Sequence, residues 1–167
     1  MNLIIDVGNT RVKVAVFEQD RLIELFVFEK QFLLVEIKKI ISKYIISVAI
    51  ISAVANLSKE RLKELRTYFN ILELDNQTKV PFKNKYATPN TLGVDRIALA
   101  SGAVYKYPNK NVLIIDAGTC ITFDFVNNKG EYLGGAISPG IRIRYQALHD
   151  YTSKLPLLKT QIPKNYI

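Results

Sequence analysis

Two octapeptides in this chain share one order of residue types: Leu-Ile-Ile-Asp-Val-Gly-Asn-Thr over Leu3–Thr10 and Leu-Ile-Ile-Asp-Ala-Gly-Thr-Cys over Leu113–Cys120. Each carries an aspartate from an apolar run into a glycine turn that is followed by amide or hydroxyl side chains. Such a stretch suits polyphosphate chemistry. Glycine lets the backbone turn tightly and come close to a ligand. The amide N–H groups and hydroxyls after it can point at phosphate oxygens, and the aspartate can hold a hydrated cation beside them. A single Asp-x-Gly turn is most often just a turn. Two matched copies read as two jaws that clamp a polyphosphate and its metal from both sides.

A second cluster lies in Gly93-Val94-Asp95-Arg96, ahead of a helical pattern. Its ordinary reading is a helix N-terminal aspartate beside a surface arginine. On these residues alone nothing lifts it above that reading. Other phosphate motifs are absent: there is no Gly-x-x-x-x-Gly-Lys-Ser/Thr loop and no Gly-x-Gly-x-x-Gly fingerprint. His149 is the only histidine, which supports neither a histidine metal cluster nor a Ser-His-Asp triad, and it reads as a surface or helix residue.

The elements that must hold these residues follow from periodicity. Residues 3–8 form an apolar strand, residues 11–17 alternate with Val12, Val14 and Val16 on one face, and residues 21–28 are a third β-type run. Residues 30–43 have helical spacing, and Tyr44–Val54 reads as a buried strand. Ser58 is placed to cap a helix carrying Leu62 and Leu65, with a short strand near Ile71–Leu74. Asp75–Pro89 reads as a loop, and a helix runs from near Leu92 to Val104. Pro108-Asn109-Lys110-Asn111 punctuates the chain, so the boundary falls between units 1–108 and 109–167. The second unit restarts the pattern: strands over Val112–Gly118, Ile121–Val126 and Tyr132–Ile137, a turn at Asn127–Gly130, and a helix after Gly140. The order is β-β-β-α-β-α-β, then β-β-β-α. A repeat at this separation indicates duplicated domains rather than a solenoid.

Composition narrows the classes. Hydrophobic residues make up 49% and charged residues 23% of 167, and no stretch reaches the ~18–20 apolar residues of a membrane span. The first residues enter a β-type run with no signal-peptide pattern. The single cysteine, Cys120, excludes an internal disulfide and fits a reducing compartment, so the expected location is cytoplasmic. The net charge of +8 draws anions without choosing among them. No basic run is dense enough for a nucleic-acid arm, and nucleic acid ranks last among partners.

The motif Asp6-Val7-Gly8-Asn9-Thr10 and its partner Asp116-Ala117-Gly118-Thr119 resemble the two phosphate motifs of the superfamily of sugar kinases, actin and Hsp70-type ATPases. Three further stretches narrow the resemblance: YATPNTLGVDR at 86–96, DAGTCITFDFV at 116–126 and GGAISPG at 134–140. Their order and spacing resemble type III pantothenate kinase. The resemblance implies a duplicated α/β fold of the ribonuclease H-like, actin-like ATPase kind, with a whole first domain over 1–108 and an incomplete second over 109–167. It implies transfer of the ATP γ-phosphate to pantothenate, giving 4′-phosphopantothenate, the first step of coenzyme A synthesis. ATP with Mg²⁺, a monovalent cation (K⁺ or NH₄⁺) and a homodimer come with it.

Residue by residue, the resemblance assigns Asp6, Val7, Gly8, Asn9, Thr10, Arg11, Val12, Lys13 and Thr119 to ATP phosphate, with Lys13 equally readable as a solvated surface lysine. It assigns Asp95 as the general base. Tyr86, Gly93, Val94, Asp95 and Arg96 line the pantothenate site, and Asp116 binds the monovalent cation. Gly134, Gly135 and Gly140 shape a loop against bound groups, Pro139 fixes it, and Cys120 is read as a small apolar filler. Members of that family continue with further strands and helices, so the chain reads as truncated at its C-terminus. The missing strands are expected to leave a sheet edge and an apolar face uncovered, and the piece alone is expected to be poorly stable or inactive. The alternatives are a catalytically impaired fragment and a nucleotide-binding transcription accessory factor of the same fold. Retention of Asp95 and Arg96 with both phosphate aspartates argues for catalysis. Aligning Asp6 with Asp116 sets Lys13 against Phe123, an offset that a one-residue difference in the turn would explain.

Overall fold

A computed structural model of the chain describes residues 1–53 and 57–161. The first half forms a mixed sheet. Strands β1 (Asn2–Val7), β2 (Val12–Glu18) and β3 (Arg21–Phe28) make an antiparallel meander. Helix α1 (Leu33–Lys43) then crosses to β4 (Val48–Ala53), which lies parallel to β1, and helix α2 (Lys59–Leu65) leads to β5 (Asn70–Glu73), parallel to β4. The strand order is β3-β2-β1-β4-β5. This is the ribonuclease H-like arrangement that the sequence implied.

Local sequence explains each piece. Val12, Val14 and Val16 alternate into the core and are fully buried. On α1, Leu33, Ile37 and Ile40 fall on one helical face and pack with Leu3, Ile5, Val14 and Ile51. Each such side chain stabilises the fold by about 1.5–3 kcal/mol when taken from water. Ser58 caps α2 as expected, its Oγ accepting the Arg61 N–H at 3.3 Å. The strand expected over Tyr44–Val54 is shorter among the described residues. The Tyr44 N–H closes α1 on the Ile40 carbonyl, and the Tyr44 hydroxyl donates to Glu24 at 2.5 Å, so pairing starts at Val48. Val54 lies outside the described residues.

The second sheet has the order β6-β9-β8-β7, built from β6 (Lys83–Asn84), β7 (Val112–Ala117), β8 (Cys120–Val126) and β9 (Glu131–Pro139). Helix α3 (Val94–Lys106) precedes β7, and α4 (Ile141–Asp150) follows β9. β6 lies inside the stretch read as a loop. Two residues are too few to show a period of two, and its pairing with β9 is a tertiary event. β6 also lies within 1–108 yet joins the second sheet. Helix α3 packs against both β4 and β8, and so spans the two sheets. The second core gathers Phe82, Leu92, Ile97, Ala100, Val126 and Tyr132.

The two repeats differ in turn length, as the offset implied. Asp6 lies opposite Lys13, whereas Asp116 lies opposite Thr122. The first turn closes with the Gly8 N–H on the Arg11 carbonyl at 3.1 Å, and the second closes one residue sooner, Gly118 N–H on Cys120 at 2.8 Å.

β7 is an edge strand whose outer face carries Leu113 and Ile115, 59% and 58% exposed. The expected open apolar face is therefore present in the described structure. Leu113→Ala should change stability by less than about 1 kcal/mol, whereas Ile5→Ala, on a fully buried residue of the first core, should cost about 2–5 kcal/mol. Denaturant melts of the two variants check this; equal losses would show that Leu113 is covered in solution.

Candidate active site

The site forms where the two repeats end. Asp6 is the penultimate residue of β1, Asp116 holds the same place in β7, and Asp95 lies in the first turn of α3. Their charges reach one another. Burial pushes the Asp6 carboxyl above the ordinary aspartate range; Lys13 opposes the rise, and the charges of Asp95 and Asp116 add to it. Asp95 and Asp116 thus lie within electrostatic reach of Asp6, and Lys13 stands directly across the ladder from it. The glycine turns also meet. Thr10 Oγ1 and Thr119 Oγ1 lie 3.2 Å apart, joining the two jaws by a hydroxyl contact. Asn9, Thr10, Arg11, Lys13 and Thr119 are exposed there and Gly8 is half-buried, while Val7 and Val12 are buried in the core and can offer a ligand only their backbone.

Each aspartate also has a buried hydroxyl on a neighbouring strand. Ser52 on β4 is the register partner of Asp6, and Thr122 on β8 that of Asp116. Both hydroxyls are buried without a hydrogen-bond partner. Buried polar groups are ordinarily paired, so two orphans flanking the two cleft aspartates fit a polar group seated between them. The carboxylates fit a cation, since like charges in one cleft invite a counterion. Among the described residues no three His, Cys, Asp or Glu side chains stand close enough to hold an ion directly.

Asp95 and Arg96 point to different tasks. Asp95 Oδ1 accepts the Arg96 backbone N–H at 2.8 Å, so the carboxylate is pinned over the start of α3 with its second oxygen left over. Gly93, at the helix N-cap, is needed for this, because a side chain there would meet Asp95 Oδ1 at 2.5 Å. Val94 follows it as the first residue of α3, half-buried. Arg96 is not the surface arginine of the ordinary reading. It is 6% exposed and binds Asp124 on β8, with Nε at 2.9 Å and Nη2 at 2.6 Å from Oδ1. Burial opposes the Arg96 charge, but the hydrogen bonds and charge of Asp124 outweigh it and hold the guanidinium protonated. Tyr86 lies beside it, its ring 5.8 Å from the guanidinium carbon and 6.2 Å from the Tyr132 ring.

The motifs gave Asp124 and Tyr132 no individual role, and Gly134 only a general one in shaping a loop. A signal for Asp124 was present: it falls between Thr122 and Val126 on the buried face of β8, where a charge requires a partner. Gly134 has a φ of +104° at the irregularity between β8 and β9, and a Cβ there would stand 3.1 Å from the Tyr86 ring. Only glycine combines that backbone with that closeness. Gly140 plays a similar part beside the second jaw, where any side chain would collide with the carbonyls of Gly118 and Thr119. The expectation that Cys120 fills apolar space is not met: it is exposed at the start of β8. His149 is a surface residue as expected, its Nδ1 2.8 Å from the Leu155 carbonyl oxygen.

The raised Asp6 pKa has a consequence for stability. The folded chain holds this proton more tightly than the unfolded chain, so the cost of the ionised carboxylate is present above the folded-state pKa and vanishes as pH falls through it. Asp6→Asn should therefore melt higher than the parent at neutral pH, by about 2–4 °C for each kcal/mol relieved, and the gap should close in acid. Thermal melts across pH check this; an Asn variant that melts lower at neutral pH refutes the cost of burying the ionised Asp6 carboxylate.

The comparisons with known proteins agree with one another. A family model described as type III pantothenate kinase matches residues 2–167. The type III pantothenate kinase of Flavobacterium johnsoniae is 48% identical over 168 aligned positions, covering 100% of this chain and 69% of its own length. That of Christiangramia forsetii is 49% identical, covering 95% of this chain and 65% of its own length. Among solved structures, a candidate Baf family transcriptional activator from Campylobacter jejuni is 26% identical with a TM-score of 0.55, covering 90% of this chain and 60% of that one. The chain thus spans about two thirds of the length of these curated relatives. With the family's motifs converging on one cleft and a match running along nearly all of its residues, the chain belongs to the type III pantothenate kinase family.

Proposed function

We propose that this chain carries the catalytic cleft of an ATP-dependent pantothenate kinase, making 4′-phosphopantothenate from pantothenate and the ATP γ-phosphate. The observation that supports this most is that Asp95 and Asp116 lie within electrostatic reach of Asp6, beside two glycine turns that touch through Thr10 and Thr119. The turns at Gly8–Lys13 and Gly118–Thr119 cradle the phosphates, with Lys13 and Arg11 supplying positive charge. Mg²⁺, bound with the nucleotide, would be oriented by Asp6 through water and would neutralise charge on the transferred group. Asp116 is the residue we assign to a monovalent cation, K⁺ or NH₄⁺.

Asp95 faces the acceptor. Its Oδ1 is engaged by the Arg96 N–H, which leaves Oδ2 to accept the pantothenate hydroxyl's hydrogen bond. As the hydroxyl oxygen bonds to the γ-phosphorus, the bond from that phosphorus to the β–γ bridging oxygen breaks, ADP departs, and the hydroxyl proton passes to Asp95. Phosphoryl transfer of this kind rests on alignment and charge neutralisation more than on covalent help. Tyr86, Gly93, Val94 and Arg96 line the acceptor side.

The remaining features are parts of the same proposal. Units 1–108 and 109–167 are the two halves of a duplicated fold, with β6 and α3 the first half's contribution to the second sheet. The working enzyme is a homodimer in the cytoplasm. The Campylobacter jejuni protein is described as a transcriptional activator. The corresponding reading, a transcription accessory factor, is less favoured here because Asp95 and its contact to the Arg96 N–H are both in place.

The test is a coupled kinase assay on the whole polypeptide that carries these residues, with pantothenate, ATP, Mg²⁺ and potassium. Asp95→Asn should lower kcat by about 10²–10⁴-fold while leaving nucleotide affinity within about twofold. A near-normal rate in that variant would remove Asp95 from the role of base.

A further inference from the structure

We propose that Asp124 and Tyr132 form a positioning device that aims Arg96 at the acceptor substrate, so that they set affinity for pantothenate without touching it. This inference rests on the reading of the cleft as a pantothenate kinase site. It starts from an arrangement that stability alone does not explain. Arg96 and Asp124 are a buried ion pair, with side-chain exposures of 7% and 0%. A buried pair of this kind gains no more than a well-packed apolar pair would, because both charges lose their water.

The hydrogen bonds are also lopsided. Arg96 Nε, Arg96 Nη2 and the Tyr132 hydroxyl all donate to Asp124 Oδ1, at 2.9, 2.6 and 2.5 Å, while Oδ2 is buried with no partner. A pair arranged for stability would share its donors over both oxygens, as fork-to-fork arginine–carboxylate pairs do. Here three donors, from a helix and a neighbouring strand, converge on one oxygen. That convergence fixes the guanidinium in direction. Burial and the bond to Asp124 raise the Tyr132 pKa, so its hydroxyl stays a donor and Oδ1 stays occupied.

The consequence falls on the donors that remain. The Nε–Nη2 edge of Arg96 is consumed internally, so the paired bonds expected from that edge are closed to a ligand. Nη1 makes no hydrogen bond among the described residues, and Nη2 keeps one hydrogen. These form the end-on pair of the guanidinium, which can still grip an oxygen group. Tyr86 covers the guanidinium at 5.8 Å and is itself seated against Gly134, so lateral movement is limited. The end-on pair is thus the part of Arg96 left for a ligand, beside Asp95, the residue we assign to the acceptor hydroxyl.

The mildest test is Tyr132→Phe, which keeps the ring in the second core and removes one of the three donors. Its KM for pantothenate should rise about 3–10-fold, with kcat and KM for ATP within about twofold, because an interaction common to ground and transition states was weakened. Asp124→Asn should raise the pantothenate KM further, and ¹⁵N relaxation should show the Arg96 guanidinium rotating faster in both variants. In an Arg96→Lys background, Tyr132→Phe should have no further effect on KM. Additive effects in that background, or an unchanged pantothenate KM in a Tyr132→Phe enzyme of normal kcat, overturn the positioning role. A parent enzyme that neither binds nor phosphorylates pantothenate overturns the underlying reading and this inference with it.

Discussion

Like charge held in one cleft is the constraint around which this molecule is arranged. Asp6, Asp95 and Asp116 come from two sheets and a helix, and each is placed where Asp6 feels the others. Burying Asp6 has a cost, seen in the upward push on its carboxyl, to which the charges of Asp95 and Asp116 add. The surrounding structure offsets it in specific ways. Lys13 stands across the ladder from Asp6, and Asp95 is tied to the backbone at a helix start, where a carboxylate is well placed against the helix dipole. Two unsatisfied hydroxyls, Ser52 and Thr122, lie beside the aspartates.

Helix α3 is the element that makes the cleft possible. It packs on β4 of one sheet and β8 of the other, and its first turn carries Asp95 and Arg96. Its inward face therefore does two jobs. Ile97 and Ala100 bury apolar area in the second core, while Arg96 passes a charge into the same interior and must find Asp124 there. Packing and chemistry share one helix turn, which is why the residues that hold Arg96 lie on strands far from it in sequence.

The exposed outer face of β7 belongs to the same architecture. Leu113 and Ile115 alternate with Ile114 and Asp116, so the strand that delivers a cleft aspartate also carries an apolar row on its other side. The chain spans about two thirds of the length of its curated relatives, and this row is apolar surface that the second sheet leaves open.

The sequence by itself determined the order of the longer strands and helices and the two glycine turns. These follow from local rules: alternation marked Val12, Val14 and Val16 as core, Ser58 as a cap, and Asp-x-Gly as a strand ending in a glycine turn. Even the one-residue difference between the turns was legible, because a slip of one flips every later side chain to the other face. Tertiary structure decided the rest. The pairing of β6 with β9, the contact between Thr10 and Thr119, and the Arg96–Asp124–Tyr132 cluster join positions that no local period connects. Asp124 shows the limit most clearly. Its place on a buried strand face implied that it needed a partner, but the choice of Arg96 depends on how α3 crosses β8, and that crossing is set by the packing of two sheets at once.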